Sequence, residues 1–187
     1  MTAPMYVPQF VLKQRFAFTT NRYEVWAPGP QGETLMAVAE QKRLAFKEQV
    51  TFFTDDSKQR PVFAFKARQA LDLGAGYDVT DEGGQQLAWF KKEFGASLLR
   101  STFLIEGPGY RGRGQERSPL VAVLRRFLDI PFLPIHFDYV AEDGRPLVSI
   151  ERQGTVRDRY TVHVPDPRVD FRVAAALAVG MDALMQR

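Results

Sequence analysis

Apolar and polar residues alternate along most of the first 165 positions, as at Phe16/Phe18, Tyr23/Val25 and Phe63/Phe65, the period-two pattern of strands with one buried face. Aromatic and β-branched residues concentrate in the same stretches, and helical periodicity is scarce there. The pattern predicts strands over roughly 9–18, 22–27, 34–40, 43–53, 61–66, 76–80, 86–91, 97–106, 132–141, 146–152 and 156–164. About eleven short strands at this spacing imply a sandwich or a barrel.

One unit recurs among them: a strand, a tight polar turn with Asp or Gly, then a strand opening on Leu or Pro. It reads YEVWAPGPQGETLMAVAEQ, VTFFTDDSKQRPVFAFKA, YDVTDEGGQQLAWFKKEF and FDYVAEDGRPLVSIERQ, with Leu35, Val62, Leu87 and Leu147 aligned. The first three copies stand about 25 residues apart and the fourth follows a longer gap, a period too short for propeller blades of about 40 residues. The chain therefore reads as a repeated β-meander in one sheet or barrel.

The gap spans 107–131. Its first part, GPGYRGRGQERS, is rich in Gly and Arg and poor in apolar residues, which predicts a solvated loop. Ser118 then suits an N-cap and Pro119 a first helical position, so LVAVLRRFLD predicts a short helix ended by Pro131. Its apolar face is Leu120, Val123, Leu124, Phe127 and Leu128, with Arg125 and Arg126 nearer solvent.

After Asp170, a capping residue, VAAALAVGMDALM carries apolar residues on every side. A helix without a polar face must be surrounded. Ala, Val and Gly make it a thin rod, about 25 Å long for ~17 residues over 170–186, which fits the axis of a closed barrel whose strands cannot fill the lumen alone. A membrane anchor or a helix in a dimer interface is the competing reading. Asp182 and the short run argue against lipid, since the longest apolar stretch, Val173 to Met181, falls well below the ~20 residues a spanning helix needs.

Composition narrows the picture further. The chain has 187 residues, of which 45% are apolar and 25% charged, with 14 Gly and 12 Pro, a balance suited to a single globular domain. It contains no cysteine, which rules out disulfides, thiolate metal sites and cysteine nucleophiles and fits a cytoplasmic protein. The N-terminal MTAPMYVPQFVLKQRF shows no basic stretch followed by an apolar core, so no secretory signal is expected. The net charge of +3 is concentrated in residues 100–126.

Within that segment Arg111, Arg113, Arg117, Arg125 and Arg126, with Tyr110 among them, are the strongest binding candidates. They suit anionic lipid headgroups, with the protein peripheral at a membrane. Nucleic acid, its phosphates on the arginines and a base stacked on Tyr110, is a disfavoured alternative, and a merely solubilising loop is the bland one. Lys91 and Lys92 form a second basic spot, or else the charged end of a protected edge strand.

Other chemistry is thin. His136 and His163 both fall opposite the apolar face of their strands and read as exposed strand residues, without the partners a metal or acid–base role needs. Gly107, Gly109 and Gly112 match G-x-G-x-x-G, but Pro108 and the following Gly-Arg stretch keep any helix from starting in the loop, so the dinucleotide reading fails. Asp55/Asp56 and Asp81/Glu82 fall in hairpin turns and read as turn chemistry. No hydrolase, metalloprotease or P-loop signature appears, so no catalytic residue, metal or cofactor is expected.

Repeated hairpins followed by an Ala-rich hydrophobic helix resemble the LURP-one-related and phospholipid scramblase families of the tubby C-terminal-like superfamily. The closest likeness lies in EDGRPLVSIERQGTVRDRYTVHVPDPRVDFRVAAALAVGMDALM, with KQRFAFTTNRYEVWAPGPQGETLMAV similar to a family N-terminus. The resemblance implies a mainly β fold, a closed antiparallel barrel of about twelve strands around the C-terminal helix. In the tubby branch it also implies phosphoinositide binding through surface Lys and Arg, and in scramblases calcium-dependent lipid movement. Here Asp158 matches one acidic position of the scramblase segment and Asp166 lies near another, but Val156 replaces the first. Two carboxylates flanked by Arg157 and Arg159 fall far short of the six to eight oxygens of a calcium site. With the lipidated cysteines also missing, the LURP-one-related branch is the nearer likeness. The reading is a non-enzymatic barrel that binds anionic lipid or another phosphate-bearing partner. A protein-interaction scaffold is the alternative, and an enzyme or small-ligand binder with a pocket at a barrel mouth is the third.

Overall fold

The computed structural model describes residues 5–16, 20–42, 49–69, 76–93, 101–118, 135–153 and 159–185. Among them twelve strands precede one helix. The strands are β1 (Gln9–Phe16), β2 (Thr20–Gly29), β3 (Gly32–Lys42), β4 (Val50–Phe53), β5 (Pro61–Ala67), β6 (Tyr77–Asp81), β7 (Gln86–Glu93), β8 (Thr102–Gly107), β9 (Tyr110–Glu116), β10 (Ile135–Ala141), β11 (Pro146–Gln153) and β12 (Arg159–His163), and the helix is α1 (Phe171–Met185). Each strand runs antiparallel to its sequence neighbours, and β12 pairs with β1 through Phe10↔Val162 and Leu12↔Tyr160, which closes the barrel.

The helix is the core. Every side chain from Phe171 to Met181, and Leu184 beyond, is buried, with Leu177 and Val179 fully shielded from solvent. Phe171 meets Phe10 of β1 and Phe63 of β5 edge-on, with ring centroids 6.4 and 6.3 Å away, the aromatic geometry that the ring quadrupole favours. At the other end, a Cβ on Gly180 would fall 2.6 Å from the Phe90 ring, so glycine lets β7 approach the helix. Asp170 caps α1 as expected: its Oδ1 accepts a hydrogen bond from the N–H of Arg172 at 2.9 Å.

One expectation fails. The segment GPGYRGRGQERS forms the turn of the β8–β9 hairpin and the whole of β9, with Gly109 in the left-handed region (φ 75°) at the turn. The period-two signal was hidden because two inward positions of β9 are glycines. A Cβ on Gly114 would lie 2.3 Å from the Tyr139 ring, and one on Gly112 would lie 2.6 Å from Leu147 and 2.5 Å from the Val140 carbonyl. Bulk supplied by β10 and β11 fills the space that side chains of β9 would otherwise take. This hairpin is also the member missing from the 25-residue repeat, lying in the long gap between Leu87 and Leu147. The short helix expected in LVAVLRRFLD, from Leu120 to Asp129, lies outside the described residues.

The turn readings hold for Asp55, whose Oδ1 accepts from the Ser57 N–H, and for Asp81, which accepts from the N–H groups of Gly83 and Gln85. Their neighbours do more: Asp56 pairs with Arg22 and Glu82 reaches Arg172. His136 and His163 stand on the outer face, half-buried.

Candidate functional site

Because side chains alternate along β9, Tyr110 and the two glycines face the lumen, and Arg111, Arg113, Gln115 and Arg117 face outward. Successive outward positions lie about 6.8 Å apart, so one strand projects a row of guanidiniums. They line a groove of about 860 Å³ on the outer wall, spanning β7 to β10, with Trp89, Leu104 and Val140 among its apolar lining. The volume falls in the range of small-molecule sites. Val140 is 40% exposed, one of three large apolar residues left open among the described residues.

Each arginine already holds a carboxylate. Arg111 reaches Glu106, its register partner on β8, at 2.7 Å, and Arg113 reaches across β8 to Glu93 at 3.2 Å. Arg117 grips Asp138 with both arms of its fork, at 2.7 and 2.8 Å, and touches Glu151 at 3.3 Å, while the Ser149 hydroxyl donates to Asp138 at 2.8 Å. The hydrogen bonds from Arg117, joined by the one from Ser149, hold Asp138 below the usual carboxylate range despite its burial. The arginine side chains stay 51–60% exposed. The groove therefore presents exposed forks balanced by neighbouring carboxylates, rather than an uncompensated positive field.

Of the sequence candidates, Arg111, Arg113 and Arg117 come together here. Lys91 stands beside Leu104 on the same outer face, at the margin of the groove. Lys92 does not belong to it: its Nζ donates to the carbonyl of Leu184 at 2.8 Å, an interaction that neutralises the C-terminal end of α1. Nor do the lysines mark a protected edge, because β7 pairs on both sides in a closed barrel. Tyr110 is also removed from the binding set. It is 6% exposed and turned inward, and burial first, then the nearby Asp170 and Asp166, keep its hydroxyl protonated far above the ordinary tyrosine value, so it cannot stack on a base. Arg125 and Arg126 lie outside the described residues.

Sequence reasoning missed a second cluster, at the end of the barrel where α1 begins. Three Asp-x-Arg steps, Asp143–Arg145, Asp166–Arg168 and Asp170–Arg172, share one geometry: the arginine N–H donates to the aspartate Oδ1 two residues back and its guanidinium folds onto the same carboxylate. Arg145 draws Asp143 down to about 2, and Arg168 lowers Asp166. Arg168 also donates to the Gly109 carbonyl, tying the β8–β9 turn to the helix entrance. The repeated Asp-x-Arg spacing was the available signal. Asp166 is thus engaged by Arg168, Asp158 lies outside the described residues, and the described residues contain no group of three or more metal-ligating side chains. No described helix is long and apolar enough to cross a membrane.

Comparison with known families matches a model described as LURP-one-related to residues 35–182, well over half of the chain. Comparison with curated proteins finds no match.

Proposed function

The chain belongs to the LURP-one-related family, and on that premise we propose that it is a non-catalytic barrel that holds an anionic, phosphate-bearing amphiphile in the β7–β10 groove, the headgroup of an acidic membrane lipid being its expected form. One observation carries the reading: β9 and Arg117 just after it aim three half-exposed guanidiniums along one wall of a groove with apolar residues in its lining. A guanidinium fork matches phosphate oxygens two at a time. Its present ion pairs do not forbid the exchange, because solvent-exposed pairs contribute only about 0–1 kcal/mol each. Near an acidic bilayer each basic residue gains about 1 kcal/mol, and Val140, Leu104 and Trp89 offer contact for the glycerol and upper acyl region.

Flotation with vesicles of phosphatidylcholine, alone or with added acidic lipid, tests the reading. The full chain is expected to float with acidic vesicles at low salt, to release as salt rises, and to lose binding when Arg111 and Arg113 are both changed to Glu. Absence of binding to acidic vesicles, or binding unchanged in a folded double variant, contradicts it.

A further inference from the structure

The barrel is not equally closed all the way round. Among the described residues, eleven of the twelve neighbouring strand pairs share at least four residue pairs in register, and β2–β3 shares ten, whereas β3 and β4 share one, Val38↔Phe53. Because β4 is four residues long and its last residue faces Val38, β3 runs past it from Gly32 to Ala37 with no partner on that side. The fully buried inward residues of β3 are the small Ala37 and Ala39, with Met36 partly buried against the core, and the Val38↔Phe53 register sets Ala39 opposite Phe52 of β4. Along this line the backbone ladder is thus thin, and the inward side chains that β3 contributes are small.

What crosses the line is charge. Glu40 of β3 accepts from Lys58, in the turn after β4, at 2.6 Å. Arg22 of β2 grips Asp56 of the same turn through both terminal nitrogens, and also reaches Glu40 at 3.4 Å and Glu24 at 2.7 Å. Lys58 has φ 55°, the one described non-glycine residue in the left-handed region, and from this turn its ammonium reaches Glu40 of β3. The neighbouring charges are Arg15, within 3.8 Å of Glu24, and Arg60, within 3.7 Å of Asp55.

We propose that the β3–β4 line is a seam at which the native barrel opens locally, and that the Arg22–Asp56 and Glu40–Lys58 pairs act as a clamp that replaces the missing backbone ladder. The clamp side chains lie on the outer wall, exposed by 24–67%, so salt screens them while it leaves ladder hydrogen bonds and apolar packing in place. Opening separates β3 from β4 and bares the flank of the central helix without unfolding the other strand pairs.

Hydrogen exchange on the full chain tests the seam, with a built-in lock. Val38 and Phe53 face each other in an antiparallel pair, a spacing that a disulfide can bridge, and the chain has no other cysteine. Peptides over β3 and β4 are expected to exchange faster than those of β10 and β11. High salt, and the variants Lys58→Gln and Glu40→Gln, should accelerate the β3 and β4 peptides by about fivefold or more. Oxidised Val38→Cys/Phe53→Cys should suppress that acceleration, and reductant restore it. Equal protection of β4 and β10–β11 in the unmodified chain at high salt overturns the proposal, as does acceleration of all strands together or a cross-linked form as salt-sensitive as the reduced one.

Discussion

Asp170 holds four donors at once. Its Oδ1 accepts from the backbone and Nε of Arg172, and its Oδ2 from Nη2 of Arg172 and the backbone N–H of Met5. The same carboxylate therefore caps α1, neutralises an arginine whose side chain is 3% exposed, and fastens the N-terminal segment, which is also tied by the Phe171 N–H to the Met5 carbonyl. Asp170→Ala is expected to cost up to roughly 3–5 kcal/mol, because it leaves the buried Arg172 with only the exposed Glu82 beside it, plus about 1 kcal/mol for the lost cap. Asp170→Asn should recover part of the second contribution and little of the first. Urea unfolding midpoints of the two variants check this; an Ala variant within 1 kcal/mol of the parent, by the usual threshold for an exposed pair, contradicts it. At this scale the sequence showed the cap but not its other duties. Asp before an apolar run is a helix-start signal, whereas the bond to Met5 spans 165 positions and leaves no local pattern.

Between elements, alternation made eleven strands legible because their inward positions carry aromatic and branched side chains. It failed at β9, where inward Gly112 and Gly114 make way for Leu147 and Tyr139, so the apolar half of the pattern sits on other strands. The outward arginines were readable as a basic row. Their partners were not, since Glu93, Glu106 and Asp138 reach them only through the register of β7 to β10. That register carries a pH consequence. Lys58 lowers Glu40, Arg22 lowers Asp56, Arg117 lowers Asp138, and hydrogen bonds from Arg22 and Trp26 bring Glu24 down against the opposing effect of burial. A carboxylate lowered by folding stabilises fully above its unfolded value, about pH 4, and loses that contribution as pH falls through its folded value. The urea midpoint is therefore expected to be level as pH falls from neutrality to about 5 and then to drop steadily below about 4; a midpoint unchanged down to about pH 2 contradicts the assignment.

The whole molecule is a wall of twelve strands wrapped round one apolar rod. Wall and rod need each other: the lumen's side chains pack on α1 as well as on one another, and every described side chain of α1 is buried among them. This mutual dependence fills the interior, and the groove proposed to bind a ligand accordingly lies on the outer wall, from β7 to β10. The enclosed rod was the most legible feature of the chain, because a helix with no polar stripe admits few surroundings. The β3–β4 seam was the least legible, since unequal ladder lengths follow from how strands end and not from what they contain. Thiol labelling tests the enclosure most directly, the chain having no cysteine of its own. A cysteine at Val179→Cys, close in size to the residue it replaces, is expected to react at least about a thousandfold more slowly than one at exposed Glu142→Cys, reaching the control rate only as the protein unfolds. Comparable rates in a protein that still melts cooperatively would mean that the helix faces solvent and that the barrel is not built around it.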